Sequence, residues 1–325
     1  MKLATLKDGT PDGALVLVSG DLTRARRARA APALLGALER WSEVEGALCA
    51  EHAELEAGRA PDAFPFEPAR AAAPLPRAPA FLDGSVYANH GRLMAQAIHP
   101  GQEVPDTGLP LVYQGMSDAF LGPGDDVLCA DEAEGIDFEG EVAVIVDEVP
   151  MRTAAADSAA HVKLVVLVND VSLRAYAARE LASGFGFVQA KPTSSLSPVA
   201  VTPDELGDAW RGGCVHLPLR VEWNGEWFGH PNAGAMAYDF TRLIEHVAHT
   251  RRLGAGTIVG SGTVSNEDRS TGSACISERR ALELVEHGAP RTGFMRFGDR
   301  VRIEMLDGDG RSIFGAIDQR IVPLR

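Results

Sequence analysis

The chain has 325 residues, 45% hydrophobic and 23% charged, enough apolar mass for one large domain and a smaller one. A formal net charge of -14 argues against a surface that tracks nucleic-acid phosphates. It also means that an anionic substrate must be held by local cations or a metal.

The first residues carry no apolar core of signal-peptide length, and the runs at 142–146 and 164–168 are too short to span a bilayer. Cys49, Cys129, Cys214 and Cys275 are scattered, without the paired spacing of a zinc ribbon. A cytoplasmic chain with reduced thiols and no membrane partner is expected.

Residues 1–20 read as a hairpin, with MKLATL and ALVLVS joined through Asp8 and Gly9. Between 31 and 57 the residues Leu34, Leu38, Trp41, Val44, Leu48 and Leu55 recur at helical spacing, with Glu39, Glu43, Glu51 and Glu54 mostly off that stripe. Arg24, Arg26, Arg27 and Arg29 precede this helix and read as a solvated basic face. Residues 59–79 are rich in Pro and Ala and read as a linker, dividing a small N-terminal domain with its linker (1–78) from a larger one (79–325).

Beyond residue 80 the chain becomes strand-rich. Short runs of β-branched and aliphatic residues lie at 142–146, 164–168, 216–223, 256–260 and 301–306, with helices expected at about 173–182 and 240–251. Strands that do not alternate regularly with helices argue for an α+β fold, a mixed β-sheet roll behind a small N-terminal β-rich domain. The glycines of LGAGTIVGSG follow a helix instead of joining a strand to one, so they do not form a dinucleotide fingerprint. The DGDG at 307–310 reads as a turn, because the closing glutamate of a calcium loop is missing.

Three stretches offer chemistry. Glu139 and Glu141 stand two apart in a strand-like run and therefore share a face. Buried side by side they repel each other, and a hard divalent cation removes that cost. The alternative is a water-facing strand with two solvated glutamates. Asp170 ends the second apolar run, where a buried strand delivers a carboxylate to a sheet edge; it could instead cap the next helix and pair with Arg174. Asp83 could join a metal set, and His90, seven residues on, could act as a base or be structural.

In order, the chain carries Asp83…His90, Tyr113-Gln-Gly, Asp137-Phe-Glu139-Gly-Glu141, Asn169-Asp170-Val-Ser-Leu-Arg174, Lys191-Pro and Gly260-Ser-Gly-Thr263-Val-Ser. This set resembles the fumarylacetoacetate hydrolase family over residues 80–325, and the head resembles the small N-terminal domain of its bacterial members. The resemblance implies a divalent metal, Mg²⁺ first with Ca²⁺ or Mn²⁺ as alternatives, held by Asp83, Glu139, Glu141 and Asp170. It implies His90 as the base that activates water, with Glu278 chosen as its partner and Lys191 as a catalytic cation. Tyr113, Arg174 and Thr263 match substrate-binding positions. Tyr113 as core, Arg174 as a surface pair, Lys191 as a loop charge and Thr263 as a turn residue remain the plainer readings. Ala177 stands where the mammalian enzyme has glutamine, and Gln189 is the candidate substitute donor.

The implied activity is metal-dependent hydrolysis of a carbon–carbon bond in a small 1,3-diketo acid, fumarylacetoacetate first and an acylpyruvate next. Hydration, decarboxylation or isomerisation of a 2-oxo-enoate at the same centre is the second reading, and a non-catalytic binding protein the third. The resemblance also implies a homodimer.

Overall fold

A computed structural model describes residues 1–98 and 108–324. Among them, an eleven-stranded mixed sheet runs in the order Phe64–Pro65, Arg24–Arg27, Ala14–Val18, Lys2–Leu6, Ala200–Val201, Val162–Asn169, Gly140–Val146, Ile258–Gly260, Phe81–Ser85, Leu111–Gly115. The eleventh strand, Ser195–Leu196, pairs with Val162–Asn169 off this path. A five-stranded sheet contains Glu226–Gly229, Leu219–Trp223, Arg300–Met305, Ile317–Pro323 and Val127–Cys129. The architecture is α+β with mixed sheets.

The two longest apolar runs explain the layering. Gly140–Val146 is buried at every position and Val162–Asn169 at all but Lys163, so both faces of each strand meet packed side chains. Val142, Val144, Val146, Val165 and Leu167 feed one core, together with Leu219, Val221, Val301 and Ile303 of the smaller sheet. Ala143, Ile145, Leu164, Val166 and Val168 feed the other, beneath Leu34, Leu38, Trp41, Val44, Leu48 and Leu55. A strand covered on both faces reads as an unbroken apolar run. Each such valine or leucine contributes about 1.5–3 kcal/mol when taken fully out of water.

The N-terminal hairpin forms, with Lys2–Leu6 antiparallel to Ala14–Val18, and joins the large sheet through Ala200–Val201. The expected helix over 31–57 is two helices, Leu34–Leu38 and Trp41–Glu56, because Arg40 leaves helical backbone at φ -131°, ψ 33°. Of the arginines before it, Arg27 and Arg29 are exposed as a solvated face requires, but Arg26 is not. Arg24–Arg27 is a strand, and Arg26 is fully buried with its guanidinium donating to Glu54 at 2.8 Å and Asp62 at 3.2 Å. The segment read as a linker supplies the edge strand Phe64–Pro65 and buries Phe66, Ala71, Ala73 and Leu75. Helix Phe240–Val247 stops short of the expected 251. The DGDG segment is a turn: the Asp307 carboxylate accepts from the amides of Asp309 and Arg311.

Candidate active site and metal centre

Three strands of the large sheet bring carboxylates to one face: Asp83 within Phe81–Ser85, Glu141 near the start of Gly140–Val146 and Asp170 just past Val162–Asn169. Phe81, Ala143 and Val168 all belong to the core on the helix side of the sheet. Two residues further along each chain direction that leaves this core, on the same side of the pleat, stand Asp83, Glu141 and Asp170. Register fixes their level: Glu141 lies opposite Val168, and Asp83 lies beside Gly260 of the intervening strand. The carboxylates of Asp83, Glu141 and Asp170 each offer an oxygen within 4.8 Å of the other two, and all three are buried.

Gly260 makes room for this. A Cβ there would lie 2.1 Å from Asp83 Oδ1, so any side chain would displace the carboxylate. Gly262, at φ +74°, then turns the chain so that its amide donates to Asp83 Oδ1 at 3.1 Å.

The cluster is short of counter-charge. Asp170 accepts from Tyr113 Oη at 2.7 Å, Lys191 Nζ at 2.5 Å and Ser194 Oγ at 2.6 Å. Glu141 is fully buried, and neither of its oxygens accepts a hydrogen bond from a described residue. Burial, then the neighbouring Asp170, pushes the Asp83 carboxyl well above the usual carboxylate range. Burial, then Asp83 and Asp170, does the same to Glu141. Buried carboxylates without donors are what a hard divalent cation satisfies, and the all-oxygen donor set fits Mg²⁺, Mn²⁺ or Ca²⁺.

Glu139 adjoins the cluster through Lys191, whose Nζ bridges its carboxylate to that of Asp170. Its carboxylate takes Arg174 Nη2 at 2.5 Å and Lys191 Nζ at 2.6 Å. Burial alone would raise Glu139, but Lys191 and then Arg174 overcome it and hold the group below its ordinary value. Lys191 is itself buried, which disfavours its charge, yet Asp170 and Glu139 keep it protonated. It is therefore no loose loop charge. Arg174 pairs with Asp137 and Glu139, not with Asp170, and the helix it begins is capped at Leu173 without a side-chain bond.

His90, on helix Ala88–Ile98, meets Glu278, on helix Ile276–His287: Nδ1 lies 2.8 Å from Oε2. Glu278 is buried and His90 only partly so. Thr263 is buried just beyond Gly262. Gln189 is not brought to the site. Its side chain is exposed and its Oε1 accepts from Arg179 Nη2 at 2.5 Å, so it does not replace the glutamine whose place Ala177 takes.

Sequence reasoning gave no role to four further residues. Asp137 is buried, accepts the amides of Ile276 and Ser277 at the start of the Glu278 helix, and accepts Arg174 Nε at 2.9 Å. Its place two residues before Glu139 was the available signal. Ser194 binds Asp170, Cys275 lies beside Glu139, and Glu180 gathers the amides of Val188, Gln189 and Ala190 at 2.8–3.0 Å, tying down the loop that delivers Lys191. No local spacing marks these three.

A mixed-sheet α+β fold that gathers four buried carboxylates, Lys191, Arg174 and a histidine–glutamate pair in one place defines a class of enzyme built on an acidic centre. Residues 80–322 match the family model described as fumarylacetoacetate (FAA) hydrolase C-terminal, and residues 1–77 match fumarylacetoacetase N-terminal domain 2. The chain belongs to the fumarylacetoacetate hydrolase family of enzymes.

Among curated relatives, oxaloacetate tautomerase YisK of Bacillus subtilis is 28% identical over 68% of this chain and 64% of its own length. The mitochondrial oxaloacetate tautomerase FAHD2B of Bos taurus is 28% identical over 55% of this chain and 54% of its own. The chain thus spans about half the length of several of the curated relatives it matches. Among solved structures, maleylpyruvate hydrolase from Sphingobium sp. SYK-6, in complex with manganese(II) and pyruvate, superposes with a TM-score of 0.66 at 19% identity over 100% of both chains. A 5-carboxymethyl-2-hydroxymuconate delta-isomerase from Mycobacterium smegmatis gives 0.61 at 20% identity, also over 100% of both. No helix among the described residues is long and apolar enough to cross a membrane.

Proposed function

We propose that the protein hydrolyses a carbon–carbon bond in a small 1,3-diketo acid, with fumarylacetoacetate as the first candidate and an acylpyruvate as the second. The observation that carries this reading is the His90–Glu278 pair beside a buried acidic centre. Asp83, Glu139, Glu141 and Asp170 would hold a divalent ion, supported by the convergence of three of them and by the Lys191 bridge from Glu139 to Asp170. When bound, such an ion acts as a Lewis acid toward the oxygens of a keto acid.

The residues of the chain supply the rest. His90 takes a proton from water, which adds to the distal carbonyl. Glu278 fixes the ring by its bond to Nδ1 and stabilises the imidazolium that forms. The bond between that acyl carbon and the central carbon then breaks, leaving its electron pair as an enolate. Lys191, charged and buried, stabilises the enolate oxygen, and a proton returned to carbon completes the reaction. Arg174, anchored by Asp137, and Tyr113 bind the substrate's carboxylate and keto oxygens, with Thr263 assigned to the same group.

A second reading is keto–enol isomerisation, in which the same base moves a proton on carbon and no bond between carbons breaks. The names of the relatives that reach 28% identity favour it. Purified protein with Mg²⁺ or Mn²⁺ distinguishes the two. Loss of the diketone absorption of fumarylacetoacetate, with release of fumarate and acetoacetate, supports hydrolysis. Turnover of enol oxaloacetate or a 2-oxo-enoate, with none of the diketo acids cleaved, reverses the order.

A further inference from the structure

A cleft of about 780 Å³ opens between helix Phe240–Val247 and the edge of the large sheet, a size typical of sites for small organic molecules. Its floor is the reverse face of the strands that carry the acidic centre. Leu82 and Gln114 are register partners that line the cleft. Their chain neighbours Asp83 and Tyr113, also partners, belong to the opposite face of the pleat, where Tyr113 binds Asp170. Tyr113 borders both spaces, but none of the four clustered carboxylates lines the cleft.

In a chain of net charge -14 this cleft is cationic. Arg152, Arg242 and Arg251 line it from three segments, together with His246 and His249. Glu245 is the one acidic residue among the described lining residues, and it is already engaged. Its Oε2 accepts Arg242 Nη1 at 2.7 Å and its Oε1 accepts the Ala155 amide at 3.1 Å. The guanidiniums of Arg152 and Arg251 have no partner among the described residues. Three guanidiniums less one carboxylate leave two positive charges uncompensated, even with both imidazoles neutral.

Arg152 is kept there against its backbone preference. Its φ of +68° lies in the left-handed region, which a residue with a Cβ rarely adopts. The turn is pinned by the Arg152 amide donating to the Ala248 carbonyl at 2.9 Å and by Thr153 Oγ1 donating to the Pro150 carbonyl at 2.8 Å. Glycine would take this conformation freely, so what arginine adds is its guanidinium. Strain retained by the surrounding structure is characteristic of ligand sites. Planar guanidiniums suit phosphate and carboxylate oxygens. Leu82, Pro110, Val112 and Val247 give the same cleft apolar walls.

We propose that this cleft binds a small organic dianion, an apolar or aromatic body carrying a phosphate monoester or two carboxylates. Arg152 and Arg251 take the charged head, and Leu82 and Val112 take the body. The site does not depend on which reaction the acidic centre performs.

The test is titration calorimetry of the full chain, saturated with Mg²⁺, against phenyl phosphate, phthalate, phenyl sulfate and inorganic phosphate. It is run at about pH 8, where a phosphate monoester is dianionic. Phenyl phosphate or phthalate should bind about tenfold more tightly than phenyl sulfate, which lacks the second charge, and than inorganic phosphate, which lacks the body. Whichever of the two dianions binds more tightly assigns the head as phosphate or dicarboxylate. Arg152→Gly relieves the strained turn, so its melting temperature should not fall, while affinity for that dianion drops about tenfold. Arg251→Gln, at an exposed position, should weaken it by a similar factor. Binding of neither dianion overturns the site, as does equal affinity for phenyl sulfate. Wild-type affinity in both variants also overturns it, because the anion then sits elsewhere, the metal centre included.

Discussion

His90 Nδ1 lies 2.8 Å from Glu278 Oε2 although 188 positions separate the two residues, so the packing of two helices creates the pair. If it activates water, His90→Ala lowers kcat by about 10²–10⁴-fold. Glu278→Gln, which keeps the shape but not the charge, lowers kcat on the order of a hundredfold. Metal binding by both variants stays near wild type, which steady-state kinetics alongside Mn²⁺ titration would check. Unaltered kcat in His90→Ala would remove the base from the mechanism.

Asp83 and Glu141 hold their protons in the metal-free protein to higher pH than they do in the unfolded chain. Between the ordinary carboxylate range and the raised folded values, the native state therefore binds more protons than the unfolded state. Stability of the metal-free protein falls as pH rises through that window. A divalent ion must displace those protons, so its affinity and the stabilisation it gives increase with pH. Thermal melts with and without Mn²⁺ across pH test both signs. A metal-induced shift that shrinks with rising pH would contradict this.

Gly260→Ala places a methyl group 2.1 Å from the present position of Asp83 Oδ1. The carboxylate has to leave the cluster, and metal affinity should fall by about 10–100-fold while the fold survives. Calorimetry with Mn²⁺ and circular dichroism of the same sample separate the two effects.

Glu180 receives three successive amides ahead of Lys191. Glu180→Ala removes their shared acceptor and frees the loop. Lys191 then loses its fixed position, so kcat should drop more than KM rises. Glu180→Gln, which retains an acceptor oxygen, should restore part of the loss.

Much of this was legible before any coordinates. The apolar runs at 142–146 and 164–168 are long enough, and free enough of polar interruptions, to mark strands covered on both faces. The two-residue spacing of Glu139 and Glu141 put them on one side of the chain. What spacing could not show is that Glu139 turns to Arg174 and Lys191 while Glu141 joins Asp83 and Asp170, because side-chain direction depends on neighbours far away in sequence. Arg26 looked solvated among other arginines, and only its pairing with Glu54 and Asp62 permits its burial. Gln189 looked available as a donor, but the bend of its loop turns it toward Arg179 and solvent. Glu180 sits on a helix with a largely exposed face, and nothing local indicates that its carboxylate folds back onto a loop.

The central claim is that Asp83, Glu141 and Asp170 tolerate one another through a shared divalent cation. The spin-resonance signal of free Mn²⁺, titrated with protein, tests it most directly. Wild type should deplete the signal to one bound ion per chain, with Asp83→Asn and Glu141→Gln each leaving it almost undiminished. Depletion by Glu141→Gln as complete as by wild type would contradict the account.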